Sequence, residues 1–338
     1  MEGRLSRFKR IRRPSLEHDG QPYQSLMQPL LSQPLKNSPS VAKGEITGIN
    51  SPVFCSGSGR VHHMGTLYVT DLDGTLLRPD GSLGRRTLTV INAFIASGGL
   101  ITYATARSFH SANRILAGLD LHLPVITYAG AMLIDPISGV VESSVMIPSP
   151  VIETLLSAIA DCGLQPLVYL VRHGRDRVCW VEGDLSAGVA YFLGTRLGDP
   201  RLMPVRNWAE INSNAVFYIS IIAGASELAE LNESLETGIR DACHVVLVED
   251  IYTPEKYWLE FTSAVGTKAH AAEKIQTATR SDSLVCFGDG LNDLPLFAIA
   301  DQAYAVANST AEVKSQATAV IGSNTDEGVA AWFEAQFF

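Results

Sequence analysis

A chain of 338 residues, 46% hydrophobic and 18% charged, is long enough for two domains of ordinary size and too apolar to be wholly disordered. No stretch reaches about 18 uninterrupted apolar residues, so no spanning helix is expected. A net charge of −9 argues against generic duplex DNA as a partner, and five cysteines at scattered spacings suit reduced thiols in the cytosol.

The charge is unevenly spread. Residues 1–63 hold 9 basic and 4 acidic side chains, a net of +5, whereas residues 64–338 hold 17 and 31, a net of −14. The first stretch also carries 6 of the 16 prolines and 9 serines, with no sustained apolar period. Such a segment buries too little apolar surface to offset its ordering entropy, and it reads as a disordered basic tail. Its start, Arg4 to Arg13, fits an organelle presequence, a contact with an anionic surface or a solvated tail; it lacks the apolar core of a secretory signal. Met64 stands just before the first strand, and a start there would give a 275-residue protein.

From Met64 onward short apolar strands alternate with helical periodicity. Leu67 to Thr70 is a strand. Residues 84–97 form a helix with Leu88, Ile91, Phe94 and Ile95 on its apolar stripe, ended by Gly98-Gly99. A second strand follows at 100–104, a helix at 108–118 and a third strand at 125–128. This rhythm predicts a parallel sheet covered on both faces. Between 147 and 263 the rhythm breaks. A helix at 151–162 leads to strands at 166–171, 178–182 and 215–223. A helix at 226–238 and strands at 244–248 and 257–261 complete the region, which reads as a mostly antiparallel α+β module. The alternation then resumes: helix 267–278, strand 283–287, helix 290–299, strand 303–306, helix 326–335. The expected architecture is a Rossmann-like α/β core, residues 64–146 and 264–338, interrupted by an inserted α+β cap at 147–263. Tyr252 and Tyr257 in the cap read first as packing residues and second as pocket lining.

The chemistry concentrates at strand ends. Asp71-Leu72-Asp73-Gly74-Thr75 follows the first strand, where open α/β sheets bind ligands. Strand alternation points Asp71 and Asp73 the same way, and Gly74 lets the backbone turn closely around a ligand. Two carboxylates so placed repel unless a cation or a shared proton compensates. A hard divalent ion with oxygen ligands suits them, and Mg²⁺ commonly takes one or two carboxylates plus phosphate oxygens. A second acidic pair, Asp289 and Asp293, follows a later apolar strand in Gly288-Asp289-Gly290-Leu291-Asn292-Asp293. Spacing of four would stack the two on one face of a helical turn, although an aspartate at a helix start often serves only as a cap. Thr105 ends the second strand, where a hydroxyl and nearby amides can hold a phosphate oxygen or simply cap a helix. Lys268 begins a helix, where the dipole disfavours a cation; it reads as a ligand-facing lysine or a surface one.

Taken in order, these four segments resemble the signature of the haloacid dehalogenase superfamily of phosphatases, in its Cof-like branch with a large α+β cap. The resemblance covers residues 64–338 and leaves the tail outside. It implies that Asp71 is the nucleophile that forms an aspartyl-phosphate, and that Asp73 protonates the leaving group and then deprotonates water. It implies Mg²⁺ as cofactor, held by Asp71, the Asp73 carbonyl and Asp289, with Asp293 supporting that shell. Thr105 and Lys268 would stabilise the transferring phosphoryl group. Gly74, Ala106, Arg107, Asn292 and Asn308 complete the candidate substrate contacts, Arg107 and Asn308 standing equally well as structural hydrogen-bonding groups. Two positions depart from the family pattern: Ala106 replaces the glycine of Thr-Gly-Arg, and Ala129 replaces the asparagine of Asn-Gly-Ala. The function implied is hydrolysis of a small phosphorylated metabolite in the cytoplasm. A phosphomutase and a non-catalytic phospho-ligand sensor are the alternatives.

Overall fold

The computed structural model describes residues 65–249 and 256–338. The expected tail and Tyr252 lie outside these residues. Strand β1 (Thr66–Thr70) leads through helix α1 (Arg85–Ala96), strand β2 (Leu100–Tyr103) and helix α2 (Phe109–Ile115) to β3 (Val125–Thr127). A hairpin, β4 (Met132–Ile134) and β5 (Val141–Ser144), pairs antiparallel with β3. Next come α3 (Ser149–Asp161), β6 (Pro166–Arg172), β7 (Arg175–Val181), α4 (Ala187–Gly194), β8 (Leu202–Val205) and β9 (Val216–Ala223). Helices α5 (Ala225–Ser234) and α6 (Thr237–Ala242) precede β10 (Cys243–Glu249) and β11 (Tyr257–Ser263). The chain closes with α7 (Lys268–Thr279), β12 (Ser283–Gly288), α8 (Leu294–Ile299), β13 (Gln302–Val306), α9 (Ala311–Ser315), β14 (Ala319–Ile321) and α10 (Gly328–Phe337).

Five strands form one parallel sheet in the order β14-β13-β12-β1-β2, and β3 adjoins β2 through a single parallel bridge, Ala104 to Ile126. Alternation along β1 sends Tyr68 to one face and Leu67 and Val69 to the other, and both faces are covered. Tyr68 meets Phe94 of α1 and Phe333 and Phe337 of α10, with ring centroids 5.2–5.8 Å apart. Leu67 and Val69 pack against Ala271, Ala272 and Ile275 of α7. Burying each large apolar side chain of this kind contributes about 1.5–3 kcal/mol.

The second sheet has the order β10-β11-β9-β6-β7-β8, antiparallel except for the β7–β8 pair. Val168, Ile219, Ile221 and Phe261 on one face pack against α3 and α5. Tyr169 and Tyr218, cross-strand partners, lie on the opposite face against Tyr128 at the end of β3. The α/β architecture with an additional antiparallel sheet is therefore as the sequence predicts.

Local differences have simple causes. Helix α4 reads AGVAYFLG, too short and too uniformly apolar to show a stripe. The β4–β5 hairpin and the edge strand β14 span three or four residues each, below the length at which alternation registers. The helix predicted over 226–238 breaks at Leu235, whose extended backbone separates α5 from α6. The helix predicted to reach residue 118 stops at Ile115, and its cap is Ser108, whose Oγ accepts the Ser111 amide, in place of Thr105. The four cysteines among the described residues are free thiols.

Candidate active site

Strands β12, β1 and β2 are neighbours, and the chain leaves β1 toward β2 on one side and reaches β12 on the other. This is a topological switch point, and the carboxyl ends of adjacent parallel strands open a crevice there. Asp71 follows β1, Asp289 follows β12 and Thr105 follows β2. Asp71 extends the strand pairing, its amide donating to the Phe287 carbonyl at 2.9 Å. Sheet order therefore gathers groups that lie far apart in sequence.

Lys268 is the first residue of α7, after Thr267 caps that helix. Its ammonium is 2.5 Å from Asp71 Oδ1 and 2.6 Å from Asp293 Oδ1, and the lysine is 2% exposed. Burial alone would lower the lysine, but the Asp293 and Asp71 carboxylates outweigh it and hold the ammonium protonated above its ordinary range. Two charge-assisted bonds also answer the unfavourable helix dipole. Burial, reinforced by Asp293 and Asp289, drives the Asp71 carboxyl well above its ordinary value, with Lys268 opposing.

Gly74 is what lets the two acidic loops meet. Its φ is +84°, and an added Cβ would stand 2.3 Å from Asp289 Oδ2. The buried Thr75 hydroxyl donates to Asp289 Oδ1 at 2.8 Å and fixes that carboxylate. Asp293 Oδ2 accepts the amides of Asp289 and Gly290 at 3.1 and 3.0 Å, so its second oxygen closes the loop. Asp71, Asp289 and Asp293 each bring a carboxylate oxygen within 4.8 Å of the others. With all three ionised, the one ammonium leaves two negative charges in a largely buried space, and that crowding, added to burial, is what raises the Asp71 and Asp289 carboxyls. An all-oxygen donor set with that excess fits a hard divalent cation such as Mg²⁺.

The other predicted residues divide. Leu72 to Leu76 form a tight turn with non-helical angles at Asp73 and Gly74, so strand alternation does not govern Asp73. Its carboxylate turns to Arg107 in a two-pronged pair, 2.7 and 2.6 Å, and lies outside the three-carboxylate cluster. Thr105 is buried, and its hydroxyl accepts the Arg107 amide at 3.1 Å. Ala106 and Asn292 are exposed at the rim. Asn308 donates to the Gly74 carbonyl at 2.7 Å and accepts the Asn324 amide at 3.0 Å, a cross-tie between loops. Asp289 and Asp293 do not stack on a helical face; residues 291–293 are a single 3₁₀ turn, and α8 starts after them.

Two contributors escaped the sequence reading. Thr75 sits inside the first motif, where a β-branched hydroxyl gives no sign of its partner. Gly130, at φ +109°, lies so close to α7 that a Cβ would meet the Thr267 carbonyl carbon at 2.0 Å; only the small residue pair Gly130-Ala131 hinted at it. Ala129, just before Gly130, has φ 56° and ψ 23°, a left-handed conformation that an alanine adopts at a cost. Ala129→Gly is therefore expected to raise the unfolding free energy by about 0.5–1 kcal/mol, read as a shift in urea midpoint with unchanged slope. No gain would mean that the turn is not strained.

The crowded carboxylates also give the metal-free protein a pH dependence. Burial first and Asp293 second push the Asp289 carboxyl up to about 6. The folded state then keeps a proton that the unfolded chain, with carboxyls near about 4, has released. Stability from this group is thus present at low pH and is lost as pH rises from about 4 through about 6. Asp289→Asn without metal is expected to exceed the parent in stability at pH 7.5 by on the order of 2 kcal/mol, with the gap about halved at pH 5 and gone below about pH 4. A gap independent of pH would exclude Asp289 as its source.

Comparison with known proteins bears on the family and the fold. A family model described as haloacid dehalogenase-like hydrolase matches residues 68–333. The 5-amino-6-(5-phospho-D-ribitylamino)uracil phosphatase YitU of Bacillus subtilis is 23% identical over 80% of this chain and 97% of its own length. The HMP-PP phosphatase of Yersinia enterocolitica is 23% identical over 79% and 94%. Among solved structures, a Thermotoga maritima protein superimposes with a TM-score of 0.66 at 23% identity, covering 80% of this chain and 97% of that one. No helix among the described residues is long and apolar enough to cross a membrane.

Proposed function

The chain belongs to the haloacid dehalogenase-like hydrolases, and from that premise we propose that it is a Mg²⁺-dependent phosphatase for a small phosphorylated metabolite. One observation carries the reading: Asp71, Asp289 and Asp293 bring carboxylate oxygens together at the switch point, with Lys268 paired to Asp71 and Asp293. The names of the phosphatases it resembles support the substrate class.

Asp71 is the nucleophile. One of its oxygens bonds to phosphorus as the ester oxygen departs, leaving an aspartyl-phosphate that water later cleaves. Asp73 serves proton transfer, giving a proton to the leaving oxygen and taking one from the attacking water. Arg107 clasps Asp73 beforehand, so that work requires the clasp to release one oxygen. Lys268 holds Asp71 in place and offers charge to the transferring group. Thr105 stands at the end of the neighbouring strand as a phosphate contact. Asp71 and Asp289 would hold the metal directly, since both Asp293 oxygens already serve protein donors. The metal, when bound, offsets the carboxylates and draws charge from the phosphoryl oxygens. Residues 64–146 and 264–338 are the catalytic core in this reading, and the cap at 147–263 sets substrate choice.

The test is inorganic phosphate release from a panel of phosphorylated sugars, nucleotides and vitamin precursors, with and without Mg²⁺. Turnover of at least one ester only with the metal is the expected result. A metal-loaded, folded sample inert toward the whole panel would overturn the reading.

A further inference from the structure

A cluster of buried polar groups outside the carboxylate site links the two sheets. The Tyr128 hydroxyl donates to Asp176 Oδ2 at 2.5 Å and accepts from Arg201 Nη1 at 2.8 Å. Asp199 in turn grips the Arg201 guanidinium, at 3.0 Å from Nε and 2.6 Å from Nη2. Tyr128, Asp176 and Arg201 are each less than one-tenth exposed. Asp176 belongs to β7 and Arg201 precedes β8, whereas Tyr128 follows β3 beside the parallel sheet. The cluster thus joins the two sheets by hydrogen bonds made in a dry place, where an unpaired member would be costly.

The backbone that carries Tyr128 is unusual. Tyr128 and Ala129 have φ of 50° and 56°, two consecutive left-handed residues that are not glycine. Each costs about 1–2 kcal/mol, and such a turn persists only where its surroundings hold it from several sides. On one side the Tyr128 amide donates to the Arg107 carbonyl at 3.1 Å and the Ala129 amide to the Thr105 carbonyl at 2.9 Å. Gly130 packs directly on Thr267, the cap of the helix that presents Lys268. On the other side stands the Tyr128 ring, against Phe217 at 4.9 Å and Tyr218 at 5.8 Å, with its hydroxyl in the Asp176–Arg201 grip.

We propose that Tyr128 is a positioning residue whose hydroxyl, gripped by Asp176 and Arg201 of the antiparallel sheet, sets the turn at 128–130 against Thr105, Arg107 and the Lys268 helix. The phosphate-side groups are then placed by where the cap sheet stands. A tyrosine present only for packing would be replaced by phenylalanine without consequence, because the ring contacts remain. The kinetic arm of the test rests on the phosphatase reading; the exchange arm does not.

In Tyr128→Phe, amide hydrogen exchange at positions 128 and 129 is expected to quicken about tenfold or more, with β12 amides unchanged as an internal control. With Mg²⁺ and p-nitrophenyl phosphate, kcat should fall about tenfold while KM moves less than about twofold. Asp176→Asn should act in the same direction, and the double variant should add little to either single change. Unchanged exchange at both amides overturns the proposal, as do fully additive effects of the two substitutions. Faster exchange in a protein whose parent shows no turnover supports the positioning role and removes the phosphatase reading alone.

Discussion

Asp71→Asn should abolish phosphate release while leaving the chain folded. The substitution changes one atom, and the amide oxygen can still accept from Lys268, so the buried site keeps its shape. An amide is no nucleophile toward phosphorus, and the loss of kcat is expected to reach about 10⁴-fold or more. The same change also removes a negative charge from a site that holds two in excess, so metal-free stability should not fall. The pairing of dead catalysis with an intact thermal transition separates this residue from its neighbours. Turnover within tenfold of the parent would exclude Asp71 as nucleophile, whatever else the site does.

Lys268→Met should produce the opposite signature, a loss of stability together with a loss of activity. Methionine fills much the same volume, but Asp71 and Asp293 lose their shared cation in a space that water scarcely reaches. Breaking a buried ion pair from one side costs about 3–5 kcal/mol, and added Mg²⁺ should return part of it by mass action. The sign with pH is fixed as well. The folded lysine titrates above its unfolded value, so its contribution is whole through neutral pH and disappears only in strong alkali. Urea midpoints at pH 7 with and without Mg²⁺ measure both effects. A metal-free variant as stable as the parent would mean that the carboxylates are not ionised around the lysine.

Much of this site was legible before any coordinates. The first motif declared itself because two aspartates, a glycine and a threonine behind an apolar strand are an uncommon sequence. Lys268 and Asp289 were ambiguous from their places alone, and only their order behind the first motif, with the resemblance it carries, set them beside Asp71. What the sequence could not convey was orientation. Asp73 looked like a companion to Asp71 under strand periodicity, yet the tight turn at 72–76 swings it to Arg107. Asp293 looked like one of two stacked ligands and instead divides its oxygens between Lys268 and the loop amides. Asn308 was equally a ligand contact or a tie, and hydrogen bonds to Gly74 and Asn324 make it a tie. The fold followed the same pattern. Long alternating segments were readable, while α4 and the short strands β4, β5 and β14 depend on neighbours brought in by tertiary packing.

The order of strands has a consequence for how the protein is made. β1 lies between β2, which follows soon after it, and β12, which is translated only after the whole antiparallel sheet. Asp71 and its lysine partner are separated by 197 positions in the chain. A ribosome that has released β1 and β2 therefore holds half a sheet with an open edge, and Asp71 waits there without its counterion. The antiparallel sheet, by contrast, is contiguous in sequence and has all its strands in hand by Ser263. Synthesis thus delivers the antiparallel sheet in full before the parallel sheet that it interrupts has its central partner.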